Sequence, residues 1–154
     1  MEIDDIITEL RSDKWIKKFT FQNQKEFGQF FTPNWLSQKI NLMDPAVFHN
    51  PNKTIIDCAG CGIGELLVEV LIKRLKNGMD YLDAISTIYG VDIDPMAVDI
   101  CRERLSLNQS NFFKICEKNI ICADSTKIKN WKFDGTDPYK TGQDIHNETL
   151  FEIS

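Results

Sequence analysis

The sequence predicts an α/β fold: a partial doubly wound parallel sheet in βαβαβ order behind an N-terminal helical arm. Three observations carry that expectation. Short β-branched runs end in an acid at three places: Thr54-Ile55-Ile56-Asp57, Ile85 to Val91 closed by Asp92, and Asn119-Ile120-Ile121-Cys122-Ala123 closed by Asp124. Segments of helical apolar spacing separate these runs. A glycine-rich turn, Gly60-Cys61-Gly62-Ile63-Gly64, joins the first run to the first of those helices. Strand and helix in alternation close as right-handed crossovers on a parallel sheet.

Taken in chain order, Ile3, Ile6, Ile7, Leu10, Trp15, Ile16 and Phe19 fall mostly three or four apart, with a break at Ser12-Asp13, which predicts one or two amphipathic helices. Gly28 to Pro33 interrupts regular structure, and Trp35, Leu36, Ile40 and Leu42 suggest a short helix within Asn34 to Met43. Pro45, Asn50 and Pro51 mark a loop. After the first strand and its turn, a helix runs from Glu65 to about Lys76, stopped by Asn77-Gly78. The second strand leads to Asp94 as a helix cap with Pro95 at the first helical position, and that helix continues to about Leu107. Beyond Asp124 the pattern fades: Trp131, Phe133 and Tyr139 are scattered among polar residues, and only Leu150 to Ile153 suggests a further strand.

Composition bounds the function. A chain of 154 residues, 42% hydrophobic and 27% charged, has room for one domain with a genuine core. Five Cys beside two His, with no basic-then-apolar leader and no long apolar run, predict a reduced, cytoplasmic protein outside any membrane. The net charge of −5 disfavours binding to a polyanion by this chain alone. Lys14, Lys17, Lys18 and Lys25 cluster near the start, where a solvated helix face explains them better than a basic arm. Cys58 and Cys61 form a Cys-x-x-Cys pair without a second pair or a matching His, so small residues in a crowded turn are the better account and no metal site is expected.

Open parallel sheets bind ligands beyond the carboxyl ends of their strands. Glycines at the first turn admit a close backbone approach, and the helix after them offers free N–H groups. Asp92 is placed to accept from two ribose hydroxyls and Asp124 from an adenine amino group, which together fit an adenosine ligand. A dinucleotide fits less well, because the glycines run Gly-x-Gly-x-Gly and Asp92 lies 28 residues beyond Gly64.

Four stretches in this order resemble the class I S-adenosylmethionine-dependent methyltransferases, of the DNA adenine-N6 type. Gly28-Gln29-Phe30-Phe31-Thr32-Pro33 is similar to that family's N-terminal motif, Ile56 to Gly64 to its glycine-rich motif, Gly90-Val91-Asp92-Ile93-Asp94-Pro95 to its second, and Asn119 to Ser125 to its third. The resemblance implies S-adenosyl-L-methionine as cofactor, held by Phe30, Thr32, Asp57, Gly60, Gly62, Asp92, Ile93 and Asp124, with Ile93 packing on adenine. One departure is the spacing of Asp57, three residues before Gly60 and five before Gly62, so either the turn carries an extra residue or the acid has moved.

The resemblance divides the chain into an N-terminal helical segment (1–26), a Rossmann-like cofactor-binding domain (27–125) and an irregular tail (126–154). The family's catalytic Asn/Asp-Pro-Pro-Tyr/Phe motif has only one degenerate match, Asp137-Pro138-Tyr139, with Asp137 as amine acceptor and Tyr139 as stacking platform. An ordinary Asp-Pro turn is the stronger reading there. The chain therefore reads as the cofactor half of such an enzyme, truncated before or at the catalytic motif. Three function classes follow: a methyltransferase acting on DNA adenine, as in restriction-modification; a non-catalytic cofactor-binding or partner-docking module; and an enzyme degrading S-adenosylmethionine. DNA is then expected to come through a partner chain, either a second copy or a methyltransferase subunit. Such a partner would also cover the open edge of the first strand.

Overall fold

A computed structural model describes residues 2–22, 43–58 and 60–138 of the chain. Its centre is a three-stranded parallel sheet ordered β1 (Ile55–Asp57), β2 (Ile88–Asp92), β3 (Ile120–Cys122). Asp57 pairs with Gly90, and Asp92 with Cys122, so the carboxyl ends of neighbouring strands open on the same side. The expected strand order and parallel sense are both present.

The helices form where capping and periodicity agree. α1 (Ile3–Arg11) begins with Asp4 and Asp5 and ends on Arg11, charges that suit the helix dipole at each end. The break at Ser12-Asp13 is real: α2 (Lys14–Gln22) starts afresh, and the Trp15 indole N–H donates to the Glu9 carbonyl at 3.0 Å across the corner. The segment expected as a loop after Pro45 contains a four-residue helix, α3 (Ala46–His49), because Phe48 turns into the core and is 1% exposed. α4 (Glu65–Lys76) follows the glycine turn and stops at Asn77, with Gly78 at φ +87° closing the end.

Two further helices were not anticipated. α5 (Tyr81–Ser86) occupies what reads as the start of the second strand; Asp80 caps it by accepting from Leu82 N–H at 3.1 Å, and Ile85 is the inward side of this helix rather than a strand residue. α7 (Ser110–Asn119) follows α6 (Pro95–Ser106), and its Phe112, Ile115, Cys116 and Asn119 make the buried or half-buried stripe. Between them Leu107 and Asn108 take positive φ, which ends α6.

Alternation along the strands divides the core. Ile88, Ile120 and Cys122 face α4, α6 and α7 in the main cluster, which also takes in Leu10 of α1. Val91, Ile121 and Ala123 face the other way, where Trp131 and Phe133 pack on them and Phe133 meets Tyr89 edge-on at 4.9 Å. The helices of both crossovers thus cover one face, as same-handed connections in one direction require. Among the described residues, the segment after Asp124 covers the other. That segment includes a 3-10 turn (Ile128–Asn130) and is held down by an ion pair described below. No helix among the described residues is long and apolar enough to cross a membrane.

Candidate functional site

Sequence forces the backbone into an unusual path just past β1. Ile55 N–H donates to the Thr87 carbonyl, and Cys61 N–H to the Val91 carbonyl at 2.9 Å. Thr87 to Val91 is four residues, whereas Ile55 to Cys61 is six, so two residues are looped out between β1 and the point where the chain rejoins β2. Asp57 is the last residue of β1, so the acid sits at the strand end and the looped-out residues follow it. Gly60, Gly62 and Gly64 all take positive φ, at +108°, +57° and +88°, conformations that L side chains seldom adopt. At Gly64 a Cβ would also come within 2.9 Å of the Cys101 sulfur, so the close approach of this turn to the helix Pro95–Ser106 depends on the missing side chain.

The turn is tied to the end of β2 through Asp92. Its Oδ2 accepts from Gly62 N–H at 2.8 Å and its Oδ1 from Asp94 N–H at 2.8 Å. Asp94 in turn caps α6, accepting from Met96 N–H at 2.9 Å, as its place before Pro95 predicts. Asp92 is 6% exposed. Burial pushes its carboxyl above the usual aspartate range, against the opposing pull of the backbone donors. A Cβ at exposed Gly60 would sit 3.5 Å from Asp92 Oδ2, so the absence of one leaves the acid open from the turn side.

The remaining residues take their places around this pair. Asp57 ends β1, half-buried, and half-buried Ile93 follows Asp92. Asp124 lies two residues beyond Cys122, and its Oδ1 accepts from Thr126 N–H at 2.9 Å and Thr126 O–H at 2.6 Å, folding the chain into a local turn. The structure therefore brings Gly60, Gly62 and Asp92 into direct contact distance and sets Asp57, Ile93 and Asp124 on the same carboxyl rim. Phe30, Thr32 and Tyr139 lie outside the described residues.

Asp137 is elsewhere. It accepts from Arg102 Nη2 at 2.8 Å and Nη1 at 3.2 Å, and from Cys122 N–H at 2.9 Å, which puts it at the β3 edge of the sheet, opposite β1. Its observed chemistry is that of a clamp: a bidentate ion pair with a buried guanidinium and a cap on the strand edge.

The Cys-x-x-Cys pair divides. Cys58 is exposed, whereas Cys61 is buried against Cys101 and its thiol is held well above the ordinary range by that hydrogen bond and by burial. Such a thiol stays protonated and behaves as a small core residue. Among the described residues, no group of three or more His, Cys, Asp or Glu could hold a metal ion.

Sequence reasoning missed the buried arginines around the site. Arg104, 2% exposed, donates from Nε to the Leu10 carbonyl at 2.8 Å, and from Nη1 to the Ile63 carbonyl at 3.3 Å and Glu65 Oε1 at 2.6 Å. Within an amphipathic helix pattern nothing marks an arginine as buried, so no sequence signal distinguishes it from its exposed neighbours.

The site is a glycine-rich turn, an anchored acceptor at the middle strand and a second acid at the third. That arrangement fits a ligand carrying adjacent hydroxyls and a planar base. A family model described as N-6 DNA Methylase matches residues 11–140. No solved structure is a significant match to this chain.

Proposed function

The chain belongs to the N-6 DNA methylase family, and from that premise we propose that it binds S-adenosyl-L-methionine at the carboxyl rim of its sheet, as the cofactor-holding part of a DNA adenine-N6 methyltransferase. The observation that carries the proposal is the Asp92 carboxylate, fixed by the Gly62 and Asp94 N–H groups beside the bare face of Gly60. A carboxylate offers about four lone-pair positions. The donors from the turn and the cap fix the orientation of this carboxylate beside Gly60.

When bound, S-adenosylmethionine supplies an electrophilic sulfonium methyl. In this reading Asp92 accepts from the ribose hydroxyls, Ile93 packs on the adenine ring, Asp124 accepts from its amino group, and the Gly60–Gly64 turn admits the ligand close to backbone. Asp57, at the end of β1, orients the methionine end, together with Phe30 and Thr32. The cradle is built before the ligand arrives, so little ordering remains at binding.

In this reading Asp137 serves the fold and not the target amine, its oxygens taking Arg102 and Cys122 donors. The base-orienting acceptors then come from outside the described residues, and DNA reaches the site through a partner chain, a second copy or a methyltransferase subunit. The net charge of −5 supports that division of labour, because phosphate contacts need Lys and Arg that this chain does not present in excess.

The test is transfer of labelled methyl from S-adenosylmethionine to adenine in DNA, with the chain supplied alone and with its copurifying partner. Incorporation that appears with the partner and disappears in Asp92→Ala is the expected result. Labelled cofactor that is consumed equally without DNA, or bound without any transfer under both conditions, would overturn the methyltransferase role.

A further inference from the structure

The N-terminal helix pair is bound to the glycine turn by charge as well as by packing. Arg104, on α6, reaches three separate segments of the chain: the last turn of α1 through the Leu10 carbonyl, the glycine turn through the Ile63 carbonyl, and the start of α4 through Glu65. One helical turn further along α4, Glu69 takes both Nε of Arg11 at 3.1 Å and Nη2 at 2.6 Å. α2 then lies on the same turn from outside, with Trp15 and Phe19 packed on Ile63, Ala97 and Ile100. Ala97 is in the first turn of the helix that Asp94 caps, so the pair touches both loops that hold Asp92.

Burying a guanidinium costs several kcal/mol unless its partners are well placed, and an apolar side chain of similar volume could fill the space. What an apolar residue could not do is fix the direction of the Ile63 carbonyl. Ile63 lies between Gly62, whose N–H holds Asp92, and Gly64, whose φ of +88° starts the helix. The Ile63–Gly64 peptide that carries this carbonyl donates from Gly64 N–H to the Cys61 carbonyl at 3.0 Å, and the Cys61–Gly62 peptide is the one whose N–H holds Asp92, so turning the first disturbs the second.

We propose that Arg104 is a positioning residue for the cofactor site: it sets the glycine turn and couples the N-terminal helix pair to it. The proposal rests on the S-adenosylmethionine reading for its functional consequence and on the geometry alone for its structural one. The experiment compares Arg104→Lys, which keeps a charge but loses the planar fork, with Arg74→Lys. Arg74 is an equally buried control that donates to Val47, Lys53 and Ala84 carbonyls and to Thr87 at the opposite, amino-terminal end of the strands. Thermal melting, calorimetric titration with S-adenosylmethionine and amide hydrogen exchange are measured on all three proteins.

Both variants should melt earlier than wild type. Only Arg104→Lys should weaken cofactor affinity, by about tenfold, the equivalent of one hydrogen bond to a charged group. Only Arg104→Lys should speed exchange at the Gly64 and Val68 amides relative to the sheet amide of Ala123. Equal affinity loss in both variants, or no change in relative exchange, overturns the proposal. If wild type itself does not bind the cofactor, the proposed function fails while the exchange contrast still decides the role of Arg104. Should Arg104→Lys not fold, Glu65→Gln replaces it, keeping an acceptor for Arg104 without the charge. The same two contrasts are then expected at smaller size, and their absence overturns the proposal equally.

Discussion

Asp92 concentrates the chemistry of the site in one side chain: it stitches the glycine turn to the second strand, and in the proposed reading it also meets the ligand. Its raised pKa gives it a pH signature. The folded state binds the Asp92 proton more tightly than the unfolded chain does, so this group's contribution to stability is fully present below the unfolded value of about 4 and is lost as pH rises through the higher folded value. Asp92→Asn cannot titrate. The stability of wild type minus that of Asp92→Asn, from urea titrations at several pH values, should therefore fall as pH rises above about 4. A difference that stays flat, or grows with pH, would show that the backbone donors outweigh burial at this carboxylate. At this scale the sequence was readable where a residue has a positional signature, as with Asp92 at a strand end and Asp94 before Pro95. It was not readable for Arg74, Arg102 and Arg104, whose burial depends on carbonyls that only the tertiary fold brings together.

Among the elements, the strands and the two long helices were legible because length, β-branching, caps and glycine stops agree there. α5 was hidden because Ala84 and Ile85 run straight into a strand sequence, so a six-residue helix and a strand share one apolar run. α7 carries a helical stripe, but it begins after Gln109 without a side-chain cap, the signal that would have announced it. The segment after Asp124 was expected as an irregular tail. Its described part, as far as Pro138, packs on the body, with Trp131 and Phe133 on the sheet and Asp137 locked to Arg102, whose side chain is 6% exposed against 11% for Asp137. Removing one member of a buried pair leaves the other's charge uncompensated. Asp137→Ala is accordingly expected to cost about 3 kcal/mol in equilibrium denaturation. A loss no larger than that of an exposed ion pair, below about 1 kcal/mol, would mean that the clamp contributes nothing. The lysines of α2 illustrate such exposed pairs: Lys14 meets Glu9, Lys17 meets Asp13 and Lys18 meets Glu103, which fits the solvated face read from their spacing.

At the scale of the whole molecule, the sheet is finished at its β3 edge, and among the described residues no further strand pairs with β1. The β3 edge has Asp137 against the Cys122 N–H, and the helices close one face. On β1, Ile56 is 42% exposed beside the carboxyl rim proposed to bind the cofactor. The family assignment over residues 11–140 and the anchored Asp92 together make cofactor binding the central claim. It is tested most directly by isothermal titration calorimetry of the purified chain with S-adenosylmethionine, in parallel with Asp92→Ala. The account predicts saturable binding by the wild-type chain, weakened at least about tenfold in the variant by loss of an ionised acceptor. A folded wild-type chain that releases no heat of binding, or an Asp92→Ala variant that binds as tightly as wild type, would contradict it.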